Sequence, residues 1–192
     1  MSLFNWLKSK NNKPDEKKSG LYMHEDFYCQ VELVPRENFV DLKDENENID
    51  EFAQKHSDGI GFTDIYVREG QNIKTSERKI SINEFKALME VCGFQKVDEV
   101  YHGYSSYKAT CSSTWGFKLD SSAVFCDFKN DMIENIWIDG FRFNKDSVNK
   151  EQLINTLFEI EAKWNLILND WDLTETIDLS NKKSIDDYIS EE

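Results

Sequence analysis

The second half of the chain is dominated by short segments in which apolar and polar residues alternate, and this pattern constrains the fold more than any other feature. Residues 97–102, 104–111, 114–119, 123–128 and 132–138 each show the two-residue period of a half-buried strand. Polar turns separate them, and the last turn, Lys-Asn-Asp, is typical of a hairpin. The pattern predicts a meander of strands rather than the regular strand–helix alternation of a parallel sheet.

A helix with one buried face is predicted immediately before this meander. Ser81 and Glu84 have the spacing of a capping box, and Gly93 stands where a helix commonly ends. Between these signals the apolar residues recur at helical spacing, at Phe85, Leu88, Met89 and Cys92.

A second helix is predicted after the meander, beginning at Asn149 with Gln152 three positions later. Its apolar face consists of Leu153, Leu157, Ile160, Trp164 and Leu168. Ile167 widens that face, so we expect the helix to extend through residue 168.

The remaining segments give the order of elements. Residues 27–33 and 60–69 are predicted to be strands, and residues 38–56 to hold a helix in their later half. A short strand is expected at 174–179 and a helical turn from residue 184. The sequence therefore predicts an α+β fold, with a mostly antiparallel sheet and two main helices packed on one face.

The first residues differ from the rest of the chain in charge. Residues 1–18 hold five lysines against two acids, and we expect residues 1–20 to be a flexible basic segment and linker. Residues 21–192 are then a single α+β domain. In the first seven residues the apolar side chains precede the lysines, which inverts the order of a signal peptide. We therefore expect a cytoplasmic protein.

The whole chain carries 37 acidic and 23 basic residues, a formal net charge of −14. So acidic a surface repels nucleic acid and anionic membranes, and it attracts basic surfaces. The charge therefore predicts a basic protein partner, no nucleic-acid binding and no stable membrane association. It makes no prediction about the oligomeric state.

No motif for a metal or a cofactor is found, and neither is predicted. The three histidines are scattered, and the four cysteines contain no CxxC pair. Reduced thiols are the expected state of cysteines in a cytosolic protein, and the even count leaves one disulfide open. The cysteines are Cys29, Cys92, Cys111 and Cys126.

An enzymatic alternative rests on His102 and Cys111, with Asp98 or Asp120 to orient the imidazole. This hydrolase-like reading requires a thiol with a lowered pKa beside a base. The sequence contains no catalytic motif with specific spacing, so a binding protein is favoured over an enzyme.

Aromatic residues with neighbouring acids suggest where a basic partner would bind. Trp137 lies near Asp139, and Trp171 stands between Asp170 and Asp172. Exposed aromatic anchors ringed by acids suit the recognition of a basic patch, and these five residues are the predicted binding site. In the alternative reading, the aromatic residues belong to the core and the acids only increase solubility.

Three features resemble immunity proteins of bacterial toxin systems: the start MSLFNWLKSKNNK before a lysine-rich linker, the acidic aromatic-rich α+β body, and the segment ENIWIDGFRFN. The resemblance implies a non-enzymatic inhibitor that caps the active site of a toxin. Such a toxin is often a basic nuclease, whose nucleic-acid groove an acidic surface imitates.

Overall fold

The computed structural model describes residues 19–103, 107–142 and 149–190. The four helices of these ranges are α1 (Phe39–His56), α2 (Ile82–Val91), α3 (Lys150–Trp164) and α4 (Lys182–Ser190). The strands are β1 (Gly20–Tyr22), β2 (Val31–Pro35), β3 (Gln95–Lys96), β4 (Glu99–His102), β5 (Ala109–Thr110), β6 (Thr114–Leu119), β7 (Ser122–Lys129), β8 (Met132–Asp139), β9 (Leu166–Asp170) and β10 (Glu175–Ile177).

Seven of these strands form the main sheet, in the order β10-β9-β2-β8-β7-β6-β3, and every pairing in it is antiparallel. A smaller sheet has the order β1-β4-β5, in which β1 pairs with β4 in parallel. The predicted α+β class with a mostly antiparallel sheet is confirmed.

One face of the main sheet is covered by α2, α3 and α4. Phe85 of α2, Leu157 of α3 and Ile189 of α4 are fully buried in one cluster with Leu33 and Leu168 of the sheet. The two helices predicted with most signals, α2 and α3, therefore share this face as expected. Burial of large apolar side chains of this kind stabilises each by about 1.5–3 kcal/mol.

Two separate elements cover the opposite face. The small sheet covers one half, where Val100 packs with Phe125 and Trp137. Helix α1 covers the other half, where Leu42 packs on Val34 and Ile167. Alternation along β2 and β9 makes this possible, since neighbouring residues of a strand point to opposite faces.

The prediction that α3 extends through residue 168 is wrong. Helix α3 ends at Trp164 because Asn165 takes the left-handed conformation, with φ of 54°. The next residues form β9, which lies between β10 and β2. Leu166, Ile167 and Leu168 are fully buried there, on both faces of the sheet.

The boundaries of other elements also differ from the sequence predictions. Helix α1 fills the whole segment expected to hold a helix only in its later half. The first long strand begins at Val31, because residues 25–27 form a short helical turn and Cys29 has a φ of 52°. The strand predicted at 60–69 is absent from the described structure, where these residues form an irregular segment.

Several local predictions are confirmed. Strand β6 has the bounds that alternation indicated, and Gly93 follows α2 with a positive φ of 83°. Ser81 occupies the N-cap position of α2, although its side chain makes no capping hydrogen bond within the described residues.

The fold begins at the first described residues. The Ser19 backbone N–H and hydroxyl both donate to Asp98 Oδ2, at 2.8 and 2.9 Å, and Gly20 opens β1. Residues 1–18, which carry most of the predicted basic segment, lie outside the described residues. Of the helices described, none combines the length and apolar character required to cross a membrane.

Candidate functional site

Trp137, the first predicted anchor, lies in the core. Its side chain is 1% exposed and stacks on Phe125, with ring centroids 5.4 Å apart. The edge of Tyr28 covers it from the other side at 4.9 Å. Trp137 therefore offers no accessible surface in the folded chain.

Asp170 is also buried, and its partners lie within the chain. The Tyr188 hydroxyl donates to Asp170 Oδ2 at 2.7 Å, from α4. The backbone N–H groups of Asp172 and Leu173 donate to its other oxygen at 2.9 and 3.1 Å. Asp170 thus joins the end of β9 to α4 and shapes the turn that leads to β10.

Trp171, Asp172 and Asp139 remain accessible to different degrees. Trp171 is half-buried, whereas both aspartates are exposed. Desolvation raises the pKa of Asp172 and of Asp139 above the ordinary value of an aspartate. The structure therefore does not gather the five predicted residues into one exposed cluster, and partner binding through Trp171, Asp172 and Asp139 stays a prediction.

Trp171 and Asp172 adjoin a segment that returns along α1, residues 57–73, which we call the strap. The strap runs antiparallel to the helix and is bonded to it along its length. The hydrogen bonds run from Thr63 N to His56 O (2.8 Å), from Glu69 N to Glu45 Oε1 (2.6 Å), from Asn72 Nδ2 to Asp41 Oδ2 (2.6 Å), and from Ile73 N to Asn38 Oδ1 (2.9 Å).

The inner side of the strap is anchored by aromatic and polar contacts. Tyr66 meets Phe52 of α1 edge-on, with ring centroids 5.4 Å apart. The Arg68 guanidinium lies 4.7 Å from the centre of the Trp171 ring. Gln71 Nε2 donates to Glu32 Oε2 at 2.8 Å. The strap is therefore held against both α1 and the sheet.

Glu32 of β2 is the buried centre of this anchor. It is only 8% exposed, and its second carboxylate oxygen, Oε1, accepts a hydrogen bond from Trp171 Nε1 at 2.8 Å. Burial raises the pKa of Glu32 above its ordinary value. The bonds from Trp171 and Gln71 and the charge of Arg68 oppose that rise.

The outer side of the strap is apolar. Ile60 is 99% exposed, Phe62 70%, Ile65 82% and Val67 81%. Single exposed apolar residues are common, but a contiguous group on one segment marks an interaction site. Ile65 and Val67 alternate with the anchored Tyr66 and Arg68, so the inner contacts fix the outward direction of the apolar side chains.

Acidic residues dominate the two elements that carry or adjoin this apolar group. Residues 39–73, which comprise α1 and the strap, contain nine aspartates and glutamates against three lysines and arginines. One of the three basic residues, Arg68, is stacked on Trp171. The exposed acids on both elements are Asp41, Asp44, Glu47, Asp50, Glu51, Asp58, Asp64 and Glu69. The elements that carry the apolar group are therefore strongly negative.

The sequence pattern pointed to part of this surface. The strand predicted at 60–69 includes Ile65 and Val67, and Asp64 precedes them. The pattern does not indicate that this segment lacks a partner strand. Glu32 was missed entirely. A single acid within the apolar run Val-Glu-Leu-Val was the available signal, because a charged residue in a buried strand requires hydrogen-bond partners.

The pair His102 and Cys111 does not have the features of an activated thiol. Burial raises the pKa of Cys111, and the nearby charge of Asp127 raises it further. A thiolate nucleophile requires the opposite shift. Among the described residues there is also no cluster of three or more histidines, cysteines and acids that could hold a metal.

No family model matches the chain, and neither curated proteins nor solved structures provide a match.

Proposed function

We propose that this chain is an acidic cytosolic binding protein that inhibits a basic protein partner through the strap and α1. The observation that carries the proposal is the exposed apolar group on the strap, which lies on a strongly acidic part of the chain and is held on its inner side by Tyr66, Arg68 and Gln71. Charged rims increase association rates and select partners of opposite sign, while apolar contacts at the centre provide most of the affinity.

A toxin such as a nuclease is the partner class we favour, with the chain acting as its immunity protein. The surface that such an enzyme uses for nucleic acid is basic, and an acidic surface is complementary to it. The resemblance in the N-terminal start and the acidic body supports the same class. The chain would then act by occupying the groove rather than by catalysis.

The proposal is tested by capturing partners with tagged variants from the cells that make the protein. Val67→Asp places a charge at the centre of the apolar group. Val91→Asp is the matched control, since Val91 is similarly exposed, at 85%, and ends α2. We expect one basic protein to be retained by the natural chain and the control at low salt, reduced at high salt, and lost with Val67→Asp. Equal capture by both variants would contradict the proposed surface.

A further inference from the structure

The strap sequence has the composition of a strand but no strand beside it. Ile65, Tyr66 and Val67 are β-branched or aromatic residues that favour strands. Within the described residues, the only pairing in this region is an isolated bridge between Ser57 and Phe62. The segment therefore has the side chains of a strand and lacks the neighbour that a strand pairs with.

The alternation of contacts indicates that residues 65–68 are extended. Tyr66 packs edge-on against Phe52, and Arg68 lies over the Trp171 ring. Ile65 and Val67, which alternate with them, are 82% and 81% exposed. Side chains that alternate between two faces in this way are typical of an extended segment.

One edge of this extended segment faces α1 and the other is open. Glu69 donates its backbone N–H group to Glu45 of α1, and in an extended chain the N–H groups of alternate residues point the same way. The N–H groups of Tyr66 and Arg68 therefore point away from the helix. Neither has a hydrogen-bond acceptor in the part of the chain that the structure describes.

We propose that the partner adds a strand to this open edge, pairing with Tyr66 and Arg68 and covering Ile65 and Val67 with its own apolar side chains. This inference rests on the proposed function and specifies how the same surface binds. In strand addition, backbone hydrogen bonds contribute affinity and the alternate side chains contribute specificity. Basic residues of the partner strand would meet Asp64 and Glu69 at the two ends of the site.

A second copy of the chain does not fit this edge. Two copies would bring together two surfaces that each carry nine acids against three basic residues, in chains with a net charge of −14. Like charges placed opposite each other destabilise strand pairing. A basic strand is therefore the occupant that the charges select.

Residue-resolved hydrogen exchange on the full chain tests the pairing. The probe is a capped peptide in which lysine alternates with valine, long enough to span residues 64–69. We expect it to slow exchange at the amides of Tyr66 and Arg68 roughly tenfold, with less effect at high salt. The Val67 amide lies on the α1 side by the same alternation and serves as the internal control. A peptide in which glutamate alternates with valine should have no effect.

Three outcomes would overturn strand addition: no binding of the lysine–valine peptide at millimolar concentration, binding that leaves Tyr66 and Arg68 unprotected, or protection without peptide that increases with protein concentration. The last outcome would assign the edge to a second copy. The proposed function is judged separately, by the loss of the captured partner with Val67→Asp. If Val67→Asp abolishes capture but the amides of Tyr66 and Arg68 are not protected, the proposed binding surface is retained and strand addition is rejected.

Discussion

Replacing Trp171 by phenylalanine tests whether the strap is anchored as the structure indicates. The substitution removes the indole N–H that donates to Glu32 Oε1 at 2.8 Å, while an aromatic ring remains beneath Arg68. A hydrogen bond to a charged group contributes about 1.5–3 kcal/mol. The weaker attraction of a phenylalanine ring for the guanidinium costs up to about 1 kcal/mol more.

We therefore expect Trp171→Phe to lower the free energy of unfolding by about 1.5–4 kcal/mol. The measurement is urea unfolding followed by circular dichroism, with hydrogen exchange across the strap as a second readout. The amides of Glu69 and Ile73 bond to Glu45 of α1 and to Asn38, the N-cap residue of α1. Exchange at both should become faster because the inner anchor has been weakened.

Trp164→Phe is the matched control for the loss of indole area. Trp164 is also half-buried, and its ring packs on Phe85 at 5.5 Å. No carboxylate in the described structure accepts a hydrogen bond from its indole. Lys163 Nζ lies 4.9 Å from the centre of this ring, so the control also weakens a cation–π contact, as Trp171→Phe does. We expect this control to cost about 1 kcal/mol.

A double-mutant cycle separates the hydrogen bond from the packing. In the background of Glu32→Gln, the bond from Trp171 is neutral, so Trp171→Phe should cost about 1 kcal/mol less than in the natural chain. If Trp171→Phe and Trp164→Phe differ by less than about 0.5 kcal/mol, the hydrogen bond to Glu32 does not hold the strap, and the reasoning is refuted.

Three further predictions concern pH, thiols and the buried strand β9. Because the pKa of Glu32 is raised on folding, its carboxylate binds a proton more tightly in the folded chain than in the unfolded chain. Its contribution to stability is present below the unfolded value of 4.5 and is lost as pH rises through the folded value. The stability of Glu32→Gln relative to the natural chain should therefore increase with pH across that window, and a constant difference in urea unfolding would contradict this. Iodoacetamide at neutral pH should label Cys29, whose pKa burial raises to about 12, more slowly than free cysteine, and Cys126 only after unfolding. Leu168→Ala should cost about 2–5 kcal/mol in urea unfolding, because Leu168 is fully buried in β9, and a cost below about 1 kcal/mol would contradict its position there.

The parts of the fold that were predictable from sequence are those in which local periodicity and tertiary burial agree. Strand β6 alternates between the cores on the two faces of the sheet, so its bounds follow from the pattern. Helix α2 shows its N-cap residue, its apolar stripe and its terminal glycine in order. In both cases the neighbouring elements bury the side chains that the pattern marks as apolar.

The remaining elements could not be predicted because a short apolar run can be either a helix or a strand. Leu166–Leu168 follows a helical stripe in register, so period alone continues the helix. The left-handed Asn165 breaks it, and no pattern in the sequence distinguishes that asparagine from others. The burial of Trp137 could not be predicted from the sequence for a related reason. The local sequence of an aromatic residue beside an acid does not show whether the aromatic side chain is exposed or, like that of Trp137, buried in the core.

The strap is an exception to this agreement, because its apolar side chains favour a buried strand and yet lie exposed. Leaving Ile65 and Val67 in water forgoes about 1.5–3 kcal/mol for each side chain. The inner contacts of Tyr66, Arg68 and Gln71 nevertheless fix the segment in an extended form. A partner would therefore meet a strand that is already ordered, and most of the apolar burial would contribute to affinity instead of offsetting lost entropy. Segments that break local rules while remaining anchored are expected at functional sites.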